Sequence, residues 1–201
     1  MQSYNKIMLV LLLLIVVSAL YCMKKPGSQR ESIQKQLKAM VAEDQDLRLK
    51  VDYAQFDTAL WEQIHAIDRK NTAVLKDILQ SLPEQWPIIS AFGEEADNDA
   101  WLLVQHADLD PAFQKEVLTR LEKLCLKKET SCKNTAYLYD RVAMAENRPQ
   151  RYGTQFHLQD GVMVPYEIED SENIDMRRKA VGLSTFKEYE DKLKEVTKTS
   201  K

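Results

Sequence analysis

The stretch Asp110-Pro-Ala-Phe-Gln-Lys-Glu-Val-Leu-Thr-Arg-Leu-Glu-Lys-Leu124 decides the class of fold. Asp110 suits an N-cap, and Pro111 follows at the first helical position, where its missing N–H costs nothing. Phe113, Val117, Leu121 and Leu124 then recur at three- and four-residue spacing, which puts one apolar face on an otherwise charged helix. The same period runs outward in both directions. Ser28-Gln29-Arg30-Glu31 reads as a capping box for a helix over about 29–50 carrying Ile33, Leu37, Met40, Val41 and Leu47. Asp57 caps a pattern of Leu60, Trp61, Ile64 and Ile67. Asn71 is read as the start of a further helix with Val74, Leu75, Ile78, Leu79 and Leu82, ended by Pro83. Pro83 to Gly93, with Trp86-Pro87, reads as an ordered loop, after which Asp97 or Asn98 caps a short helix through Trp101 and Ala107. Beyond the quoted stretch, helices are expected over Thr135–Glu146 and Ile174–Val181. A last one follows Ser184 as cap, through Phe186, Tyr189, Leu193 and Val196.

The period changes once. Tyr152–Gln159 and Val162–Ile168 flank Asp160-Gly161, a pair favoured in two-residue type I′ hairpin turns. Pro165 cannot donate to a ladder, so its strand belongs at an edge. The expected fold is mainly α: an N-terminal transmembrane segment, then a single multi-helix domain with one late β-hairpin at about 152–168. The expected divisions are 1–25 for the signal-anchor segment, 26–56 for a juxtamembrane helix and linker, 57–196 for the helical domain and 197–201 for a disordered tail.

Ile7 to Met23 is an apolar run of seventeen residues, with Lys6 before it and Lys24-Lys25 after it. At about 1.5 Å per residue it reaches roughly 25 Å, the low end of a membrane span. An uncleaved anchor is the first expectation. Cleavage near Ala19 and lipidation at Cys22 are the alternatives. Lysines on the far side argue for a cytoplasmic domain, whereas the signal-like order of the start argues for export, which is the preferred reading. The 201 residues carry a net charge of −3, which gives no general drive toward nucleic acid. Cys125 and Cys132 flank a polar link and would close it with a disulfide in an oxidising compartment. In a reducing one they are a buried thiol and an incidental loop thiol.

Two polar patches interrupt the apolar patterns: Gln105-His106-Ala107-Asp108, and Asp140-Arg141 with Asn147-Arg148-Pro149-Gln150-Arg151-Tyr152-Gly153-Thr154-Gln155. Gly153 marks a position needing positive φ or a close approach. If the patches meet, His106 serves as general acid or base and Asp140 orients it. Arg141, Arg148 and Arg151 then hold an anionic group, and Gln105, Gln150, Tyr152 and Gln155 supply neutral hydrogen bonds. The alternative is structural: an Asp140–Arg141 ion pair, with Gln105 and His106 capping the loop that enters the hairpin. His65 and His157 are weaker candidates. No two histidines have local ligand spacing, so no metal is expected, and no motif calls for a cofactor.

Trp101-Leu-Leu-Val-Gln-His-Ala-Asp108, Asp110-Pro-Ala-Phe-Gln114, Asn134-Thr-Ala-Tyr-Leu-Tyr-Asp-Arg-Val142 and Arg148-Pro-Gln-Arg-Tyr-Gly-Thr-Gln155 together resemble an uncharacterised bacterial family, domain of unknown function 6624, over roughly Asp57 to Leu193. The resemblance implies a shared fold and site position and no reaction. The expected setting is a bacterial inner membrane crossed once, with the domain outside the cytoplasm. There it binds a small polar ligand or an envelope protein. A hydrolase- or lyase-type enzyme using His106 with Asp140 and a structural envelope component are the alternatives.

Overall fold

The computed structural model describes residues 26–52, 57–159 and 161–199. The Ile7–Met23 run, the last two residues and Asp160, expected in the hairpin turn, lie outside them. No helix among the described residues is long and apolar enough to cross a membrane. The chain divides into two compact units, residues 1–36 and 37–201.

The protein is mainly helical with one late antiparallel pair of strands. In order come α1 (Pro26–Arg48), α2 (Thr58–Gln80), α3 (Ile89–Gln105), α4 (Pro111–Leu126), α5 (Cys132–Ala145), β1 (Phe156–Gln159), β2 (Val162–Pro165), a 3-10 turn (Ser171–Asn173), α6 (Ile174–Ala180) and α7 (Phe186–Thr199). Within the second unit α3 packs against α2, α4 and α5, and α4 packs along α5. Leu37, Ile64, Leu75, Leu103, Val104, Val117, Leu121 and Leu138 fill this core. Full burial of each such side chain contributes about 1.5–3 kcal/mol before entropy is set against it.

Helix ends follow the capping chemistry with informative exceptions. Asp110 accepts from the Phe113 N–H (3.0 Å), as its place before Pro111 implies. Asn71 starts no helix: α2 runs unbroken past it, because Ile64, Asp68, Asn71, Leu75 and Ile78 form one continuous buried stripe with no breaker inside. Asp97 and Asn98 are likewise not caps. α3 begins at Ile89, is broken at Gly93 (φ 82°, ψ 165°), and buries Asp97 in mid-helix. There the Asp97 carboxylate accepts from the Trp86 indole (2.7 Å), the Thr130 hydroxyl (2.5 Å) and the Ser131 N–H (3.1 Å). Ser131 caps α5, so that helix starts at Cys132, three residues earlier than the pattern suggested. At α7 the reciprocal box is Thr185 with Glu188 (2.9 and 3.3 Å), and the Ser184 carbonyl accepts from Arg178 instead.

The hairpin pairs Phe156 with Pro165, His157 with Val164, Leu158 with Met163 and Gln159 with Val162. Gly161 has φ 76° there. Both strands are shorter than the sequence pattern, because residues 150–155 are spent on other partners.

Candidate functional site

His106 closes the C-terminal end of α3, a position that turns its ring out of the helix toward α1 and α2. Its Nδ1 lies 2.8 Å from Asp44 Oδ2. Arg48, one turn along α1, donates from Nε to Asp44 Oδ1 (3.1 Å) and from Nη2 to Asp68 Oδ1 (2.5 Å). The same Nε lies 3.0 Å from His106 Nδ1. One nitrogen cannot both donate to Asp44 and accept from Arg48. The shorter contact to a carboxylate assigns the proton to Nδ1, and Arg48 spends its Nε–H on Asp44. Nε2 is then the free end of the ring, with no partner among the described residues. The Asp44 side chain is 1 % exposed and that of His106 18 %, so the anchor is buried and the ring reaches solvent.

The two carboxylates are pushed apart. Burial would raise the Asp44 pKa, but the hydrogen bond to His106, with Gln45 and Arg48, outweighs it and holds this carboxyl below its usual range. Burial dominates at Asp68 and raises its pKa despite Arg48.

The residues after His106 are held from the other side. Gln114 on α4 donates to the carbonyl of Val104 (3.0 Å) and to Asp108 Oδ1 (3.0 Å). Arg141 on α5 donates from Nε to Gln105 Oε1 (3.1 Å) and from Nη1 to Asp108 Oδ2 (2.9 Å). Gln105, Asp108 and Arg141 therefore form one connected polar group that braces the turn from that side.

Asp140 does not join it. Its carboxylate is buried and accepts from the N–H groups of Arg151 (2.7 Å), Tyr152 (3.0 Å) and Thr154 (2.9 Å) and from the Thr154 hydroxyl (2.9 Å). His106 is not among these donors. The expected His106–Asp140 pairing is therefore not made, and neither is an Asp140–Arg141 ion pair, because the oxygens are occupied by the loop and Arg141 pairs with Asp108. Burial still raises the Asp140 pKa against these bonds. Gln150 is buried too: its amide donates to the carbonyls of Gln155 (3.0 Å) and Tyr166 (2.9 Å) and accepts from the Gln155 N–H (2.9 Å). Gly153 has φ 63°, and a Cβ there would lie 2.7 Å from the Phe186 ring and 2.9 Å from Ile174 Cδ1. Arg178, fully buried, donates to the carbonyls of Ser184 (2.7 Å) and Tyr152 (2.5 Å) beneath the same loop.

Arg148, Arg151 and Tyr152 gather instead around Tyr139. The guanidiniums lie 5.9 and 4.9 Å from its ring centre and the Tyr152 ring 5.8 Å away, edge on. Arg148 pairs with Glu146 and Arg151 with Glu169. Gln155 donates to the Thr154 hydroxyl (3.0 Å). Cys125 and Cys132 are joined as a disulfide with their Cα atoms 5.1 Å apart. His65 lies beside Trp61 and His157 beside Tyr166. No cluster of three or more His, Cys, Asp or Glu suited to a metal occurs among the described residues. Two grooves lie elsewhere: one of about 600 Å³ between the starts of α3 and α5, and one of about 410 Å³ along α1 and α2.

Sequence reasoning missed Asp44, Arg48 and Asp68. The signal was present: Asp44 continues the Leu37–Met40 stripe of α1, and Asp68 stands in the Ile64–Leu75 stripe of α2. A carboxylate at a position that should be apolar calls for a buried partner.

No curated protein and no solved structure matches this chain. Residues 31–199 match a family of unknown function (DUF6624), which covers the residues that build the surface around His106. The chain belongs to that family of unknown function, DUF6624.

Proposed function

We propose that this is a ligand-binding domain tethered to a membrane through Ile7–Met23, with its site at the end of α3. The carrying observation is the locked imidazole: His106 Nδ1 is fixed on buried Asp44 and Nε2 is left to meet a ligand. Gln114 and Arg141, bonded to Gln105 and Asp108, brace the turn that carries the ring. The Tyr139, Arg148, Arg151 and Tyr152 group supplies a second contact face for a larger ligand or a protein partner, of a composition common at interface centres. The apolar run supports the tether, and the Cys125–Cys132 disulfide supports placing the domain on the oxidising, extracytoplasmic side.

A second reading is an acid–base enzyme of hydrolytic or lyase type. It is favoured by two carboxylates on either side of Arg48 whose pKa values move in opposite directions, the division of labour that a base and an acid require. In that reading Asp44, in place of Asp140, orients His106.

Thermal-shift screening of the full-length chain against small polar compounds tests the proposal. A compound that raises the Tm of the wild type and leaves His106→Ala unmoved supports it. A set of hits that stabilise His106→Ala equally would overturn it.

A further inference from the structure

The turn after His106 is pinned to α2 at two points. Asp44 and Arg48 join His106 to Asp68 at one end, and Lys76 donates to Asp110 (2.5 Å) at the other, with its ammonium 5.1 Å from the Phe113 ring centre. Residues 106–110 therefore run along α2 between Asp68 and Lys76. Asn71 lies between those two anchors, three residues after Asp68 and on the same helix face. It is 3 % exposed, and neither its Oδ1 nor its Nδ2 has a hydrogen-bond partner among the described residues. A buried carboxamide with both ends unspent is costly, and native interiors rarely keep one unless something else completes it.

We infer that Asn71 and Asp68 are the inner wall of the His106 site, and that its ligand is a small primary amine carrying a neighbouring hydroxyl or carbonyl. This rests on the ligand-binding reading of His106. The unspent groups define the chemistry. With Nδ1 protonated, His106 Nε2 is an acceptor, as is Asn71 Oδ1. Asp68 uses only Oδ1 on Arg48, and no donor reaches its Oδ2 among the described residues. An ammonium brings three N–H donors to such a set. The Asn71 Nδ2 then requires one acceptor, which a hydroxyl or carbonyl beside the amine provides. Charge points the same way. Asp44 and Asp68 carry two carboxylates against the single guanidinium of Arg48, which both of them occupy, so it is not free to grasp an anion. Lys76 and Arg141, the cations fastened on the turn after His106, are paired with Asp110 and Asp108.

NMR titration of the full-length chain with ethanolamine tests this, with ethylene glycol and inorganic phosphate as the comparison probes. Ethanolamine should give saturable millimolar shifts of the Asn71 side-chain amide and the His106 ring. Ethylene glycol should bind roughly tenfold more weakly, the loss of one charge-assisted contact, and phosphate should leave both signals in place. Asn71→Leu should abolish the ethanolamine response while raising the Tm by a few degrees, because the orphaned amide is gone. Asp68→Asn should weaken binding without that rise. Phosphate or glycol binding as tightly as ethanolamine would overturn the amine assignment and leave the His106 site standing, as would unchanged affinity in both variants. A lowered Tm in Asn71→Leu would show the amide to be satisfied internally and overturn its role in the wall. Silence of His106 toward every probe, and toward any hit from the thermal screen, would instead count against the site itself.

Discussion

The Nδ1 of His106 sits 2.8 Å from Asp44 Oδ2, so the end of α3 is fastened to a buried carboxylate on α1, 62 residues earlier in the chain. That bond sets the ring plane and the tautomer, and it decides which nitrogen faces outward. Asp44→Asn keeps the shape and removes the charge. Its expected cost is about 1–3 kcal/mol at neutral pH, with weaker binding of any His106 ligand, read by denaturant unfolding and by titration. The folded-state pKa of Asp44 is held below its ordinary value, so its contribution is full above about pH 4 and is lost as pH falls through the folded value. The deficit of the variant should therefore shrink in acid.

Asp140 titrates in the opposite sense. Burial raises its folded pKa, so the wild type takes up this proton more readily than the unfolded chain, and stability falls as pH rises through that window. Asp140→Asn turns an amide N–H toward backbone N–H donors and should cost about 2–3 kcal/mol. The variant lacks the titration. Its deficit should be largest near about pH 4 and smaller toward neutrality, as measured by urea unfolding across that range. A deficit that grows with pH would contradict the assignment.

Gly153→Ala meets two obstacles at once: φ of 63° and overlap with Phe186 and Ile174. The expected loss is about 2–4 kcal/mol, and near-ultraviolet circular dichroism should report a disturbed Phe186–Tyr189 environment. The His106 ring, fastened on another face, should be unaffected.

The Cys125–Cys132 bond closes a short loop that also supplies Thr130 and Ser131 to Asp97. Loop-closure entropy for such a span puts its contribution at about 2.5 kcal/mol. The double variant Cys125→Ser/Cys132→Ser should lose that much, and a reducing agent should lower the wild-type Tm toward that of the variant while leaving the variant unchanged.

Much of this was legible in the residues. Apolar spacing marked the helices, Asp110-Pro111 marked the start of α4, and Asp160-Gly161 marked the hairpin. Local signals of this kind act within one or two turns. The errors arose where a polar side chain took a core position. Asn71, Asp97 and Asp140 looked like a helix start, a cap and a catalytic partner, because sequence spacing shows neither burial nor which distant group meets a carboxylate. Asp44 and Asp68 were hidden in charged surroundings, Glu43 to Asp46 and Asp68 to Lys70, that read as solvated faces. Only the continuation of each apolar stripe through them betrayed their burial.

Long-range ¹H–¹⁵N NMR of the histidine rings, on the full-length wild type, Asp44→Asn and Asp140→Asn, tests the central claim most directly. The account predicts a proton on His106 Nδ1 in the wild type, a displaced Nδ1 signal in Asp44→Asn, and an unchanged His106 ring in Asp140→Asn. A His106 ring that ignores Asp44→Asn, or that responds to Asp140→Asn, would contradict it.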